Sequence, residues 1–398
     1  MYHLTCITCK TVYKPEPGRY LCDHCDALHG TLEVIYPYEN MIVNKEFSKS
    51  LGMFQFQKLL PVSSHTPLDD YIGGTPLLRF DNVFNQNVLL VKNDGMNFSG
   101  SYKDRASIIA INKAIEEGND HIFCASTGNA ASSLALLNAH TDIKTTIFVP
   151  KKIPEAKLAQ LMVAGAEIYP IDASYDEVFD ISLDIGLEKK WYTRNSAVNP
   201  YLLEGKKTGA FEIIVQNDYV VPDYCFVGVG DGTIISGLCK GFDEFYTLGL
   251  IDKVPKVIGV QAEHACTLKK VFEKKPYIPI FESSETIADS ISVGNPRDVI
   301  KACHYLEKNG GKLIAVTDDQ ILSAIEQLAQ TTGVFSEPAG AVTLAGLLKL
   351  QGNEIQPDDL VCLVITGNGL KDISAVKLQS VKTYSKDEVY DYFEKRLK

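Results

Sequence analysis

Short β-rich runs alternate with stretches of helical period over most of the chain. Val88–Val91 (VLLV), His121–Ala125 (HIFCA), Lys144–Pro150 (KTTIFVP) and Glu167–Ile171 read as strands. Later come Tyr224–Val229 (YCFVGV), Lys256–Gln261 (KVIGVQ), Lys312–Val316 (KLIAV) and Leu360–Ile365 (LVCLVI), so that at least seven strands fall in two groups. Helices are expected between them, one from about Lys103 and another from near Asn129. Strands alternating with helices predict parallel α/β sheets, and two groups predict two α/β domains with a cleft between them. Upstream, Leu32–Tyr36 (LEVIY) reads as a strand leaving a small N-terminal module, and a polar, irregular stretch follows to about Asp69. At the other end, Ser385–Lys398 predicts a short amphipathic helix whose Val389, Tyr390, Phe393 and Leu397 pack against the body.

Composition narrows the function. A chain of 398 residues can bury a large core in two or three domains. Its net charge of −11 argues against nucleic-acid binding, which wants a basic face. No apolar run approaches the roughly 18 residues of a membrane span, and no secretory pattern opens the sequence. The expectation is a soluble cytoplasmic protein without a membrane or nucleic-acid partner. Of ten cysteines, four form the pairs Cys6/Cys9 and Cys22/Cys25 near the N-terminus, with 12 residues between the pairs. Two C-x-x-C pairs supply four thiolates for a tetrahedral zinc site, structural because no coordination position stays open. Lys10 and Asp26 stand where a glycine usually tightens each knuckle, and free thiols or a redox pair are the alternatives.

In open α/β sheets ligands bind beyond the carboxyl ends of the strands, so the strand-to-helix turns are the candidate chemistry. The first turn, Ser99–Arg105 (SGSYKDR), carries Lys103 at an expected helix N-terminus, where local positive potential disfavours the ammonium form. The second, Ser126–Ala130 (STGNA), offers the Ser126 and Thr127 hydroxyls, backbone N–H groups and the Asn129 amide, although helix capping alone would explain the hydroxyls. The third, Gly228–Gly237 (GVGDGTIISG), leaves room for a phosphate against backbone at Gly228, Val229, Gly230, Asp231, Gly232 and Thr233. It lacks the dinucleotide spacing and the Walker lysine. The fourth, Thr366–Asp372 (TGNGLKD), presents the Thr366 hydroxyl. Together they meet the needs of pyridoxal 5′-phosphate: an amine for its aldehyde, a phosphate cradle, and partners for its phenolic oxygen and ring nitrogen.

In this order, and with Glu337–Ala341 (EPAGA) between the last two turns, the motifs resemble the tryptophan-synthase-β type (fold type II) of pyridoxal phosphate enzymes, and within it the threonine synthases. Gly73–Leu78 (GGTPLL), Ser196–Glu212 (SAVNPYLLEGKKTGAFE), Ile287–Asp298 (IADSISVGNPRD) and the cysteine module extend the resemblance over nearly the whole chain. It implies two open α/β domains with the cofactor in the cleft, plus a zinc-ribbon-like module. The implied bounds are 1–38 for the module, 39–103 with 210–398 for the large cofactor-binding domain, and 104–209 for the small one. By position, Lys103 would carry the cofactor and shuttle protons, Asn129 would bond the phenolic oxygen, the 228–233 loop would hold the phosphate, and Thr366 would face the ring nitrogen. A hydroxyl there leaves that nitrogen largely unprotonated, which suits elimination and replacement. Ser126 and Thr127 would take the carboxylate of an amino-acid substrate. A homodimer is implied as well.

The sequence departs from the family pattern where the phosphorylated substrate is held. Ala130 replaces a threonine, Leu202 an arginine, and Lys206 a glutamine. Losing an arginine removes a bidentate clamp, and Lys206 or Lys207 could return charge to the site. The leading expectation is threonine formation from O-phosphohomoserine and water. A serine/threonine ammonia-lyase, or a cysteate-synthase-like enzyme using phosphoserine, is the alternative on the same scaffold. A zinc-ribbon binding protein with an inactive α/β body is the competing reading from another class.

Overall fold

A computed structural model of the protein describes residues 2–151, 153, 155–376 and 382–396. Strands β1 (His3–Cys6), β2 (Val12–Tyr13) and β3 (Leu32–Ile35) form a small antiparallel sheet. After β4 (Leu77–Val83) and β5 (Gln86–Asn93) comes helix α1 (Asp104–Glu116). The chain continues through β6 (His121–Ala125), α2 (Asn129–Asn138), β7 (Lys144–Pro150), α3 (Glu155–Val163), β8 (Glu167–Ile171), α4 (Tyr175–Glu188) and β9 (Tyr192–Thr193). Strands β6–β9 make a parallel sheet in the order β8-β7-β6-β9. Helix α5 (Tyr201–Gln216) leads to β10 (Tyr224–Gly228), α6 (Thr233–Thr247), β11 (Lys256–Ala262), α7 (Thr267–Phe272) and α8 (Val299–Lys308). Then follow β12 (Lys312–Val316), α9 (Asp318–Thr332), α10 (Pro338–Leu350), β13 (Val361–Ile365) and α11 (Lys386–Arg396).

The larger sheet has the order β12-β11-β10-β13-β5-β4 and draws on chain from both sides of the β6–β9 segment. Its central strands β10 and β13 are buried and almost wholly apolar, as expected where helices cover both faces. One strand departs from the parallel expectation. β4 pairs antiparallel with β5 across a connection of two residues, Phe84 and Asn85, at φ 47° and 51°. A loop that short can only reverse the chain, and positive φ at both positions matches the twist of a hairpin.

Two other expectations change. The polar stretch before Asp69 contains a 3-10 segment, Met53–Leu59, that buries Met53, Phe56 and Leu59. Phe56 packs on Phe47 and Phe211, joining this segment to α5. At the C-terminus α11 forms, but Val389, Tyr390 and Phe393 are 41, 59 and 57% exposed, and Leu397 lies outside the described residues. Asp387, Glu388, Asp391 and Glu394 share that helix, so docking it would also desolvate carboxylates.

The N-terminal module is fastened to the helices behind the larger sheet. Lys301 on α8 donates to the Leu32 carbonyl at 2.9 Å, Tyr305 to Glu33 at 2.7 Å, and Lys240 on α6 to the Val34 carbonyl. Lys207, offered above as a source of charge for the cleft, instead lies in a buried cluster with Glu204 and Glu244.

Candidate active site

The four turns meet. Tyr102 N–H donates to the Thr366 carbonyl at 2.8 Å and Asn368 N–H to the Gly100 carbonyl at 2.9 Å, so the lysine turn and the last turn are stitched together. They open on a cavity of about 760 Å³, the size of a small-molecule site, lined by Lys103, Ser126, Thr127, Asn129, the 228–233 loop and Thr366. Seven parallel pairings aim the ends of β6, β10 and β13 and their neighbours at this region, which is why residues far apart in sequence converge.

Lys103 is the N-cap residue of α1, and its amine forms no hydrogen bond or ion pair among the described residues. Burial and the nearby Arg194 charge bring its pKa down to about 8, against the opposing pull of Asp231 and Glu337. A measurable neutral fraction near pH 7 is what a nucleophilic or basic amine needs. The turn itself is clamped from behind. Arg105 donates to Asp94 at 2.6 Å and to Glu212 at 2.6 and 2.7 Å, while Lys92 donates to Glu212 at 2.6 Å. All four side chains are essentially inaccessible.

The third turn has the dimensions of a phosphate cradle. A Cβ on Gly228 would overlap the Ala339 carbonyl, and one on Gly230 would come within 2.9 Å of the Ile291 Cα. Gly232 caps α6 at φ 95°, a left-handed conformation suited to glycine, and leaves the first N–H groups of that helix facing the cavity. Asp231 sits inside this loop. Burial raises its carboxyl to about 6, and its Oδ1 accepts the Arg297 N–H at 2.6 Å.

Asn129 lines the cavity, and it donates to Glu337 at 2.9 and 3.1 Å and to Ser290 at 3.3 Å. Burial raises the Glu337 carboxyl. Thr366 is 7% exposed and sits on the cavity wall. The Ser126 Oγ accepts the Gly128 N–H at 3.2 Å, so this hydroxyl shapes its own turn. Lys206 is brought to the site but not to its wall: it is fully buried and donates to Thr233 Oγ1 at 2.7 Å and Ser196 Oγ at 3.4 Å. Burial, with repulsion from Lys103 and Arg194, holds its pKa well below the usual lysine range. Leu202 points into the apolar core, whereas Ala130 lines the cavity.

Glu337, Arg194 and Tyr175 are among the cavity residues that the sequence does not single out. Glu337 lies in a motif that was recognised but given no role. Arg194 directly follows β9, a strand of two residues, too short to show a period and therefore to mark its own carboxyl end.

An amine without a partner, a glycine cradle at a helix N-terminus and a hydroxyl at the end of β13 fit pyridoxal phosphate. The cysteine module fits a metal ion. The four Sγ atoms lie within 4.8 Å of one another and none is disulfide-bonded. Zinc–sulfur bonds of about 2.3 Å in a tetrahedron require separations near this range. Lys10 takes φ 61° in the first knuckle, the conformation a glycine would take there, and ties its amine to the Ile7 carbonyl at 2.8 Å.

Comparison with known proteins agrees with this geometry. The family described as pyridoxal-phosphate dependent enzyme matches residues 68–367. A threonine synthase from Methanosarcina acetivorans is 38% identical over 94% of each chain, and one from Methanocaldococcus jannaschii is 38% identical over 93% of each. Among solved structures, maize serine racemase superposes with a TM-score of 0.67 at 18% identity, covering 87% of this chain and 98% of its own. Threonine deaminase isoform 2 from Solanum lycopersicum gives 0.65 at 18% identity, covering 89% of this chain and 98% of that one. Those two share the fold. With the family match over three quarters of the sequence and threonine synthase relatives aligned nearly end to end, the chain belongs to the pyridoxal-phosphate dependent enzymes of the threonine synthase family.

Proposed function

We propose that the protein makes threonine from O-phosphohomoserine and water, releasing phosphate. The observation that carries this reading is the unpartnered Lys103 amine facing the 228–233 cradle, in a chain related to threonine synthases over almost its full length. Pyridoxal phosphate, when bound, supplies the electron sink that makes protons on the substrate's α and β carbons removable. Lys103 would hold the cofactor and then move those protons, first from Cα and then from Cβ, as phosphate leaves Cγ and water adds at Cβ. A pKa of about 8 suits an amine that both accepts and returns protons near neutrality. The 228–233 backbone would hold the cofactor phosphate, with Lys206 bracing Thr233 from behind. Thr366 would face the ring nitrogen and Asn129 the phenolic oxygen, handed over from Glu337. Ser126 and Thr127 would position the substrate carboxylate. The four N-terminal cysteines would hold a structural zinc ion.

Ala130 and Leu202 favour a second reading, β-elimination or β-replacement on a smaller substrate, because neither side chain can grip a distal phosphate. The two readings separate on one panel. Purified holoenzyme should release phosphate and threonine in equal amounts from O-phosphohomoserine. Ammonia and 2-oxoacid from serine or threonine, with no phosphate from phosphohomoserine, would reject the first reading.

A further inference from the structure

Arg194 is 1% exposed, yet it forms part of the cavity wall. Its Nε donates to Ser107 Oγ at 3.0 Å, Nη1 to Ser196 Oγ at 3.0 Å, and Nη2 to the Lys103 carbonyl at 3.4 Å. Every one of those acceptors is neutral, and no carboxylate pairs with this guanidinium among the described residues. An arginine cannot escape burial by losing its proton as a lysine can, so an unpaired one is costly to keep. Such a group is retained where an anion arrives to pair with it.

The other charges nearest Arg194 and Lys103 have partners, and the second guanidinium on the wall, Arg297, pairs with Asp176 at 3.5 Å and Asp180 at 3.2 Å. Asp231 accepts from the Arg297 backbone and acts on Lys103 and Lys206, and Glu337 accepts from Asn129. Lys206 is tied to Thr233 of the cradle. Asp104, the carboxylate that Arg194 feels most, takes the Ser99 N–H at 2.6 Å and the Ser99 hydroxyl. The cofactor phosphate is thus served by the cradle with Lys206 behind it, and the Arg194 fork is left with donors to spare.

We propose that Arg194, steadied by Ser107 and Ser196, binds a second anion in the cavity: the distal phosphate of a phosphorylated amino-acid substrate. It does so from the end of β9 rather than from α5, where the family pattern has its arginine and this chain has Leu202. The identity of the phosphate ester rests on the reaction proposed above, while the presence of an anion site beside Lys103 does not. A bidentate guanidinium selects phosphate by shape as well as charge, which a lysine at the same place reproduces only in charge.

The test is titration of inorganic phosphate into the holoenzyme, with its own cofactor in place, followed through the cofactor's absorbance. Wild type should show saturable binding, R194Q at least tenfold weaker binding, and R194K an intermediate loss. L-threonine, which has no distal anion, should titrate within about twofold of wild type in both variants, at equal cofactor content. In turnover with O-phosphohomoserine the variants should raise KM far more than they lower kcat. Phosphate affinity unchanged in R194Q, no phosphate binding by wild type, or parallel loss of phosphate, threonine and cofactor binding even in R194K would each overturn the proposal. If the phosphate titrations behave as expected but O-phosphohomoserine is not consumed, the reaction assignment fails and the anion site stands.

Discussion

Replacing Glu212 by glutamine tests whether the buried charge cluster holds the Lys103 turn. Glu212 Oε1 accepts from Arg105 at 2.6 Å and from Gly74 N–H at 3.0 Å, and its Oε2 accepts from Lys92 at 2.6 Å and Arg105 at 2.7 Å. With Asp94, the wild-type cluster has two cations and two anions, each at most 2% exposed. Glutamine keeps the shape but leaves one buried positive charge uncompensated and turns a donor toward two cations. Breaking a buried pair in this way costs about 3–5 kcal/mol. An independent route gives a similar figure. Burial pushes the Glu212 carboxyl up, but Arg105 and Lys92 outweigh it and hold it at about 2 instead of the ordinary 4.5. At about 1.4 kcal/mol per pH unit, that difference is worth about 3 kcal/mol. A carboxyl with a depressed pKa in the folded state stabilises above pH 4.5, and the stabilisation fades as pH falls toward 2. Urea unfolding of wild type and E212Q at fixed cofactor concentration should therefore differ by about 3 kcal/mol at pH 7, and the gap should narrow as pH falls below 4.5 and close as it nears 2. Because Asp94 precedes the lysine turn and Arg105 follows Lys103 by two residues, E212Q should also bind cofactor more weakly. A difference below about 1 kcal/mol at pH 7, or one that does not change with acid, would refute the reasoning.

Lys103→Ala should abolish the cofactor's protein-bound absorbance band and all turnover, and the rate at which apo-protein captures pyridoxal phosphate should rise with pH to a plateau above about 8, because the neutral amine is the nucleophile; stopped-flow absorbance measures both. Gly228→Ala, whose new methyl would overlap the Ala339 carbonyl, should weaken cofactor affinity at least tenfold, read by titration of the apo-protein. Cys22→Ser, or chelation of wild type, should release about one zinc per chain, measured with a metal-sensitive dye, and lower the Tm.

Much of the site was legible because its parts lie in short continuous motifs. Lys103, Asn129, the 228–233 loop and Thr366 each close a strand that its own β-rich run announced, and the sheet rule brings such ends together. Less legible were features with no local signature. No β-rich run announces β4, and only its two-residue turn and pairing with β5 show it as an antiparallel edge strand. Phe56 and its neighbours are core residues in a 3-10 segment whose period resembles neither helix nor strand. Lys206 and Lys207 are adjacent in sequence, but one donates to Thr233 of the 228–233 loop and the other neutralises a pair of buried glutamates. Successive residues on a helix face different directions, and only packing says what lies in each.

By itself, then, the sequence determined the fold class and the cofactor, since strand period, turn chemistry and motif order are all local properties of the chain. Which charges are spent and which are free was decided only by the tertiary structure. Arg105 and Arg194 are both buried arginines, and nothing in their immediate sequence tells them apart. Folding surrounds the first with Asp94 and Glu212 and the second with hydroxyls, because the partners of the first come from the turn after β5 and from α5, and those of the second from α1 and the turn after β9. Electrostatic energy depends on distance through space, so only the folded chain could make one arginine a strut and leave the other facing the cavity.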